Sequence, residues 1–176
     1  MRKNGLRAVG LDDGDEIAGV RLTDGSAQVI VATRNGYAIR IDETQMRPMS
    51  RTAHGVKAIK IRDGDYVVSM ARVREGASVL TVTDKGLGRR VKLDDYRIQN
   101  RGGYGMLNYK VSDDKGYVCG IKIVDEEDDI IMIATDGVII RIRACYIRIM
   151  GRNTTGVKLM RVSGQDTVVA FTRAEH

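Results

Sequence analysis

Short runs rich in valine and isoleucine, separated by turns that contain glycine, follow one another along the whole chain. The runs are about six to eight residues long, which suits strands better than helices, and β-branched side chains favour the same choice. The pairs Asn35-Gly36 and Asp136-Gly137 fall between such runs and are typical of two-residue hairpin turns. The pattern predicts an all-β protein built from short antiparallel strands.

The runs belong to a repeat of about 50 residues. Its most regular markers are Gly5, Gly55, Gly105 and Gly156, spaced by 50, 50 and 51 residues, and Arg51, Arg101 and Arg152, which keep the same step. Because one register aligns all these positions, chance is a poor explanation for them. A period of this length is typical of a propeller or a similar array of sheets.

Each full repeat is predicted to contain four strands. In the first repeat they are Glu16–Thr23, Gln28–Thr33, Tyr37–Asp42 and Val56–Ile61. The second repeat contains Tyr66–Val73, Ser78–Thr83, Gly88–Leu93 and Met106–Val111. The third contains Tyr117–Val124, Asp129–Ala134, Val138–Ala144 and Val157–Val162.

The prediction for the whole chain is a single repeat domain with two partial units at its ends. The units are 1–11, the end of a preceding blade; 12–61, 62–111 and 112–162, three full repeats; and 163–176, the start of a final blade. A closed propeller usually has at least four blades. Either the two partial units complete one blade, or the chain is part of a larger disc.

Charge adds a candidate partner to this picture. The chain has 29 Lys and Arg against 23 Asp and Glu, a formal net charge of +6, so a polyanion is the first candidate. A charge of this size also serves simple solubility, and both readings stay open on the total alone. The distribution is more informative, because the acidic residues cluster in interstrand turns such as Asp125–Asp129.

Basic residues fall at equivalent positions in all three repeats, on the third strand and in the loop that follows it. On a strand, alternate side chains share a face, so we predict a basic outer rim that contacts DNA phosphates. Such alternation also keeps an isolated exposed strand soluble, but three copies in register favour the rim. The predicted DNA-binding residues are Arg40, Arg47, Arg51, Arg90, Lys92, Arg97, Arg101, Arg141, Arg143, Arg148 and Arg152.

One of the three loops stands out by its composition. It reads Gln99-Asn100-Arg101-Gly102-Gly103-Tyr104-Gly105 and has no acidic residue. Glycine permits positive φ and close backbone approach. We therefore predict that Gly102, Gly103 and Gly105 let this loop approach a duplex.

The sequence suggests no catalytic or metal site. The two cysteines, Cys119 and Cys145, are not in a C-x-x-C pair, and both are predicted to be buried free thiols in a reducing compartment. The histidines, His54 and His176, are not accompanied by a nucleophile pattern, and His54 is predicted to be a loop surface residue. No apolar run approaches the roughly 20 residues of a membrane-spanning helix, so no membrane partner and no cofactor of this chain are expected.

At these residues the chain resembles the C-terminal domain of the DNA gyrase A protein and, more distantly, that of the topoisomerase IV A protein. The supporting segments include Leu11–Glu16, Asp63–Asp65, Thr83–Gly86 and Met150–Val157. The resemblance implies a β-pinwheel, a six-bladed disc whose blades exchange strands, which wraps duplex DNA around a basic rim. It also implies a cytoplasmic, nucleoid-associated holoenzyme with the rest of the gyrase A protein and with the gyrase B protein, whose other parts use ATP and magnesium.

The loop Gln99–Gly105 resembles the gyrase box, Q-[RK]-R-G-G-[RK]-G. Asn100 and Tyr104 replace its two variable basic positions. In the family the box lies in the first blade, so this copy is interpreted as a degenerate internal one, with the true box expected upstream of Met1. The alternatives that stay open are the C-terminal domain of a topoisomerase IV A protein and a propeller-like scaffold whose basic rim binds an acidic protein.

Overall fold

The fold is all-β, as the hydrophobic pattern predicts, and the computed structural model describes residues 5–174. The strands are β1 Gln28–Thr33, β2 Tyr37–Asp42, β3 Val67–Arg72, β4 Ser78–Thr83, β5 Leu87–Lys92, β6 Met106–Leu107, β7 Val118–Val124, β8 Asp129–Ala134, β9 Ile139–Arg143, β10 Val157–Lys158 and β11 Val168–Ala174. Three single-turn 3-10 helices, Glu43–Gln45, Leu93–Asp95 and Ala144–Tyr146, follow β2, β5 and β9.

The chain segments outside the described residues are its two ends. They include the outer parts of the predicted units 1–11 and 163–176, and His176. The division of the chain into repeat units stays a prediction. Within residues 5–174, no helix has the length and apolar character needed to cross a bilayer.

The strands form three antiparallel blades that exchange strands between repeats. The orders are β3-β1-β2-β6, β7-β4-β5-β10 and β11-β8-β9. The hairpin β1-β2 of one repeat is thus flanked by β3 and β6, the first and last strands of the next repeat. The same exchange joins β4-β5 to β7 and β10, so no blade is built from one repeat alone.

Glycine at the hairpin turn makes this exchange possible. Gly36 has φ +86°, and a Cβ at this position would collide with the carbonyl oxygen of Tyr109. The backbone N–H groups of Asn108 and Tyr109 both donate to the carbonyl of Gly36, at 2.8 and 2.9 Å. The turn of one repeat is therefore fastened directly to the fourth segment of the next.

The core lies between the faces of successive blades. One buried cluster joins Ile30 and Ala38 of the first blade to Val79 and Ile121 of the second. Another cluster joins Leu80 of the second blade to Met132 and further apolar residues of the third blade. Burial of these aliphatic side chains is the main force that holds the blades in order.

Two of the predicted strands are absent from the structure. Glu16–Thr23 and Val56–Ile61 form no strand, although their counterparts in the next repeat are β3 and β6. Those counterparts pair with the hairpin of the preceding repeat, and residues 5–174 contain no such hairpin for the first pair of segments. As a result Val20 and Leu22 are 75% and 92% exposed.

The fourth strands of the later repeats are much shorter than predicted. Only Met106–Leu107 and Val157–Lys158 are extended and paired. The ladder ends there because Asn108 and Tyr109 both turn their N–H groups to the single carbonyl of Gly36. The third blade has three strands within the described residues.

The prediction for the cysteines is wrong for one of them. Cys119 is partly buried, and its Sγ donates to the carbonyl of Val82 at 3.4 Å. Burial raises the pKa of the Cys119 thiol to about 12, so this group stays protonated at neutral pH. Cys145 is exposed instead, because it lies in the 3-10 turn after β9 rather than in a strand.

Candidate nucleic-acid interface

The three basic loops begin at equivalent 3-10 turns, one after each third strand. In the first repeat, the Asp42 carboxylate caps the turn by accepting from the N–H of Thr44 at 2.9 Å. The loop of the second repeat then contacts this turn, since the backbone N–H of Arg101 donates to Oε1 of Gln45 at 2.8 Å and its Nε donates to the Gln45 carbonyl at 3.0 Å. Successive loops are thereby neighbours along the edge of the array.

Most of the predicted DNA-binding side chains are exposed on this edge. The exposed ones are Arg47, Arg51, Lys92, Arg97, Arg101, Arg141, Arg143 and Arg148. The pair Arg141 and Arg143 faces a carboxylate: Nε of Arg141 donates to Asp129 at 2.9 Å, and Nε of Arg143 lies 3.8 Å from the other oxygen of Asp129. These two arginines are thus partly neutralised, whereas Arg97 and Arg148 make no side-chain ion pair within residues 5–174.

Arg90 does not belong to this surface, which corrects the prediction. The residue is 3% exposed, and its Nε donates to the carbonyl of Ile147 at 2.7 Å. The carbonyl of Arg90 also accepts from the N–H of Met150 at 2.9 Å. Arg90 therefore fastens β5 to the 3-10 turn of the following blade, where a bound duplex could not reach it.

Arg40 has the same role one repeat earlier. Its Nη1 donates to the carbonyls of Leu93 and Tyr96 at 3.2 and 3.1 Å, and its Nε donates to Oε1 of Gln28 at 2.8 Å. The half-buried guanidinium therefore provides a donor to the Tyr96 carbonyl at the end of the 3-10 turn. It also adds a second donor to the Leu93 carbonyl, which already accepts from the N–H of Tyr96 at 3.0 Å. Its first function in this fold is to join blades, whatever else its exposed part contacts.

The distinction gives a prediction for Arg90. We expect Arg90→Met to lower the free energy of unfolding by about 1–3 kcal/mol, because the buried carbonyl of Ile147 loses its donor. The salt dependence of DNA binding should stay unchanged, since no phosphate contact is removed. Urea denaturation and a binding titration at several salt concentrations measure the two effects.

The matched control is the neighbouring cation Lys92, which is exposed. Lys92→Met should leave stability within about 0.5 kcal/mol of the parent. A weaker salt dependence of DNA binding in Arg90→Met, without loss of stability, would show that Arg90 contacts DNA phosphates.

Arg152 is also only partly available. Its Nη1 donates to the carbonyl of Leu107 at 2.8 Å, its guanidinium lies 5.9 Å from the centre of the Tyr96 ring, and its carbonyl accepts from Arg89. Arg89 is fully buried and stacks on Tyr109 at 4.6 Å. Arg89 is not among the predicted DNA-binding residues, and its position beside Arg90 in the sequence gives no sign that both faces of β5 are covered.

The loop Gln99–Gly105 is held on the preceding repeat by its backbone. Gln99 N–H donates to the carbonyl of Arg40 at 2.8 Å, and Gly102 N–H donates to that of Ala58 at 2.7 Å. Gly105 has φ +70°, and a Cβ there would lie 2.5 Å from the carbonyl oxygen of Ala38. Glycine at 105 is thus required by packing on β2. The approach of this loop to a duplex stays a prediction.

Two cations outside the predicted DNA-binding set flank Tyr104 in this loop. Lys60 Nζ lies 4.6 Å from the centre of the Tyr104 ring, and the guanidinium of Arg62 lies 5.1 Å from it. Nη1 of Arg62 also donates to the Tyr104 carbonyl at 3.0 Å. The hydrogen bond and charge of Lys60, and then the charge of Arg62, lower the pKa of the Tyr104 hydroxyl.

Lys60 and Arg62 thus place positive charge beside Tyr104, where the loop itself has an uncharged residue. In the sequence, Lys57 and Lys60 lie within the predicted fourth strand Val56–Ile61, and Arg62 directly follows it. His54, predicted to be a surface residue of the first loop, is exposed, and its Nδ1 lies 3.0 Å from a carboxylate oxygen of Asp12. Within the described part of the chain, no group of three His, Cys, Asp or Glu side chains is placed to hold a metal ion.

Comparison with protein families matches almost the whole chain to one model. The model is described as the DNA gyrase C-terminal domain, beta-propeller, and it matches residues 1–24, 27–74, 77–125 and 128–175. The last three matched segments begin just before β1, β4 and β8, the second strands of the predicted repeats. This division agrees with the exchange of strands, because these segments end with β3, β7 and β11, each the first strand of the following repeat.

Curated relatives are similar over the same length. The DNA gyrase A subunit of Halalkalibacterium halodurans is 55% identical over 175 residues, 99% of this chain and 21% of the relative. Its counterpart from Streptococcus pyogenes serotype M3 is 57% identical over 172 residues, and that from Clostridium acetobutylicum is 43% identical over 173 residues. The chain thus spans about a fifth of the length of the curated relatives it matches.

Two solved structures share the fold. A DNA gyrase A C-terminal domain superposes with a TM-score of 0.90 at 25% identity, over 96% of this chain and 58% of that one. The C-terminal domain of a DNA topoisomerase IV gives the same TM-score at 24% identity, over 96% of this chain and 53% of that one. Both solved domains are nearly twice as long as the part they share with this chain.

Proposed function

Because this chain belongs to the family of DNA gyrase C-terminal beta-propeller domains, we propose that it binds duplex DNA on its basic edge and wraps it. The contacts are with phosphates, so binding depends on charge and shape and carries little sequence preference. The parent protein in this proposal is the gyrase A protein, which together with the gyrase B protein couples ATP hydrolysis to negative supercoiling.

The observation that supports this proposal best is the succession of exposed cations from loop to loop. Arg47 and Arg51 lie in the first loop, Arg97 and Arg101 in the second, and Arg148 in the third. The hydrogen bonds of Arg101 to Gln45, and those of Arg90 across to Ile147 and Met150, keep the loops adjacent. A DNA strand that passes from one blade to the next can therefore keep its phosphates close to these cationic side chains.

Curvature of the array supports wrapping in particular. Successive blades pack face to face through buried clusters. The blades of a propeller are arranged radially, so we infer that the loops follow the outside of an arc. A duplex that stays in contact with all three loops must bend, and bending a site of 20–30 base pairs by 40–90° costs on the order of 1–6 kcal/mol. The additional phosphate contacts offset this deformation.

A mobility-shift experiment with duplexes of increasing length tests the proposal. We expect affinity to rise with length until the duplex spans all three loops, and to fall steeply between 50 and 200 mM salt. In a second experiment, nicked plasmid is closed by a ligase while the protein is bound, and supercoiled and relaxed products are then resolved. The products show whether the bound DNA is wrapped with a single handedness. Absence of binding at low salt, together with capture of an acidic protein, would favour a scaffold and overturn the proposal.

A further inference from the structure

A second basic site lies at the inner edge of the array, away from the basic loops. It is a cavity of about 810 Å³, lined on three sides by the ends of β3, β7 and β11. These are the first strands of successive repeats, and β7 contacts both of the others. The cationic side chains that line the cavity are Arg21, Arg72, Arg74, Lys122 and Arg173.

Some of these cations already have carboxylate partners at the rim of the cavity. Arg72 pairs with Asp24 at 2.5 Å. Arg74 pairs with Asp125 at 2.5 Å and with Asp128 at 3.1 Å. Nη1 of Arg173 also lies 3.6 Å from Asp128. These ion pairs fix the rim, and they leave Lys122 and Arg21 as the other cations that line the cavity.

Lys122 and Arg21 are the cations without such a partner. Neither belongs to an ion pair among residues 5–174. Nη1 of Arg21 donates to the carbonyl of Val20 at 2.6 Å, and Nζ of Lys122 lies 6.0 Å from the centre of the Phe171 ring. Lys122 is half-buried, and burial lowers the pKa of its ammonium group, with a smaller contribution from the nearby charge of Arg21. Both side chains line the same cavity, so two like charges share it and one of them is partly out of water. A bound anion would stabilise this arrangement.

We propose that this cavity binds a small polyphosphate anion, with Lys122 and Arg21 as its principal partners. Phosphate oxygens accept hydrogen bonds from ammonium and guanidinium groups, and arginine does so in a bidentate manner. The volume of about 810 Å³ lies within the range of small-molecule sites, whereas a duplex is too wide to enter it. The triphosphate of a nucleotide and an inorganic polyphosphate offer the same chemistry.

The proposal is independent of DNA binding on the outer loops, because the two sites use different residues. Lys122 lies in β7 and Arg21 in the segment 16–23, and neither segment contributes to the basic loops. Occupation of the cavity should therefore leave the affinity for duplex DNA unchanged at matched ionic strength. This independence makes failure of one proposal distinguishable from failure of the other.

Isothermal titration of the chain with sodium tripolyphosphate, at constant ionic strength, tests the proposal. We expect one site per chain, and a loss of affinity of at least tenfold in Lys122→Gln and in Arg21→Gln. Retention of binding in Lys122→Arg would show that charge is what the site requires. The matched control is Arg97→Gln combined with Arg148→Gln, which should bind tripolyphosphate as the parent does.

Several results would overturn the proposal. They are no binding of tripolyphosphate, equal binding by Arg21→Gln, or loss of binding in the loop variant. Arg21 lies outside every strand, so its substitution keeps the test informative even if Lys122→Gln fails to fold. Parallel titrations with ATP in the absence of magnesium, and with adenosine, distinguish a nucleotide site from an inorganic one. If ATP binds more tightly than tripolyphosphate, the ligand is a nucleotide. If the two bind equally, the site recognises the phosphates alone.

Discussion

Replacing Arg97 and Arg148 together by glutamine is expected to weaken duplex binding by about 60-fold at 0.1 M salt. Both side chains are exposed in basic loops, and each phosphate contact contributes about 0.9 to the slope of log K against log salt. The slope should therefore become less steep by about 1.8. Fluorescence anisotropy with a labelled duplex, at four or five salt concentrations, measures both quantities.

The control for this result is a double variant that removes the same charge elsewhere. Lys110 and Lys115 lie outside the basic loops, and their replacement by glutamine lowers the net charge of +6 by the same amount. We expect this control to change the slope by less than about 0.3, because no phosphate contact is lost. Equal slopes for the two double variants would mean that only the overall charge matters, and the interface would be wrongly placed.

Replacing Gly105 by alanine is expected to be among the most destabilising single substitutions in the loop. Gly105 has φ +70°, and the added Cβ would lie 2.5 Å from the carbonyl oxygen of Ala38 and 3.1 Å from Cδ1 of Ile59. The left-handed conformation alone costs about 1–2 kcal/mol for alanine, and the overpacking against β2 adds about 1–3 kcal/mol.

Gly64 is a matched control for this substitution. Its φ is +71°, and a Cβ there meets nothing within 4 Å, so Gly64→Ala has the same backbone strain without the collision. We expect a decrease in Tm of about 2–4 °C for each kcal/mol lost, and therefore a clearly larger decrease for Gly105→Ala than for Gly64→Ala. Equal decreases in thermal unfolding followed by circular dichroism would show that the loop moves away from Ala38 without penalty.

The sequence was sufficient to predict the fold class and the repeat because local sequence patterns determine both. Alternation of apolar residues and the turn at Asn35-Gly36 indicate hairpins directly, and β1 and β2 occur at the predicted residues. Local sequence patterns do not determine the pairing partners of the outer strands. Glu16–Thr23 has the composition of a strand, but a strand exists only where a neighbour satisfies its backbone, and that neighbour belongs to another repeat.

The same reason explains the partial success at the basic edge. Arg90 and Lys92 lie two residues apart on β5 and follow the same alternation, yet Arg90 is buried and Lys92 is exposed. Periodicity assigns two side chains to one face of a strand, but it does not show where along that face the next blade makes contact. Arg90 lies at this contact, beside the turn at Ile147, and Lys92 lies beyond it.

The exchange of strands also determines when each blade can be completed during synthesis. The hairpin of the first blade ends at Asp42, and its outer strand begins at Met106, so on the order of sixty further residues must leave the ribosome first. At about 5–20 residues per second, the hairpin waits for several seconds with an unpaired edge. In the interval its exposed edge can pair with any other strand of suitable register, so slow translation favours misassembly of such arrays and quick arrival of the following repeat protects them.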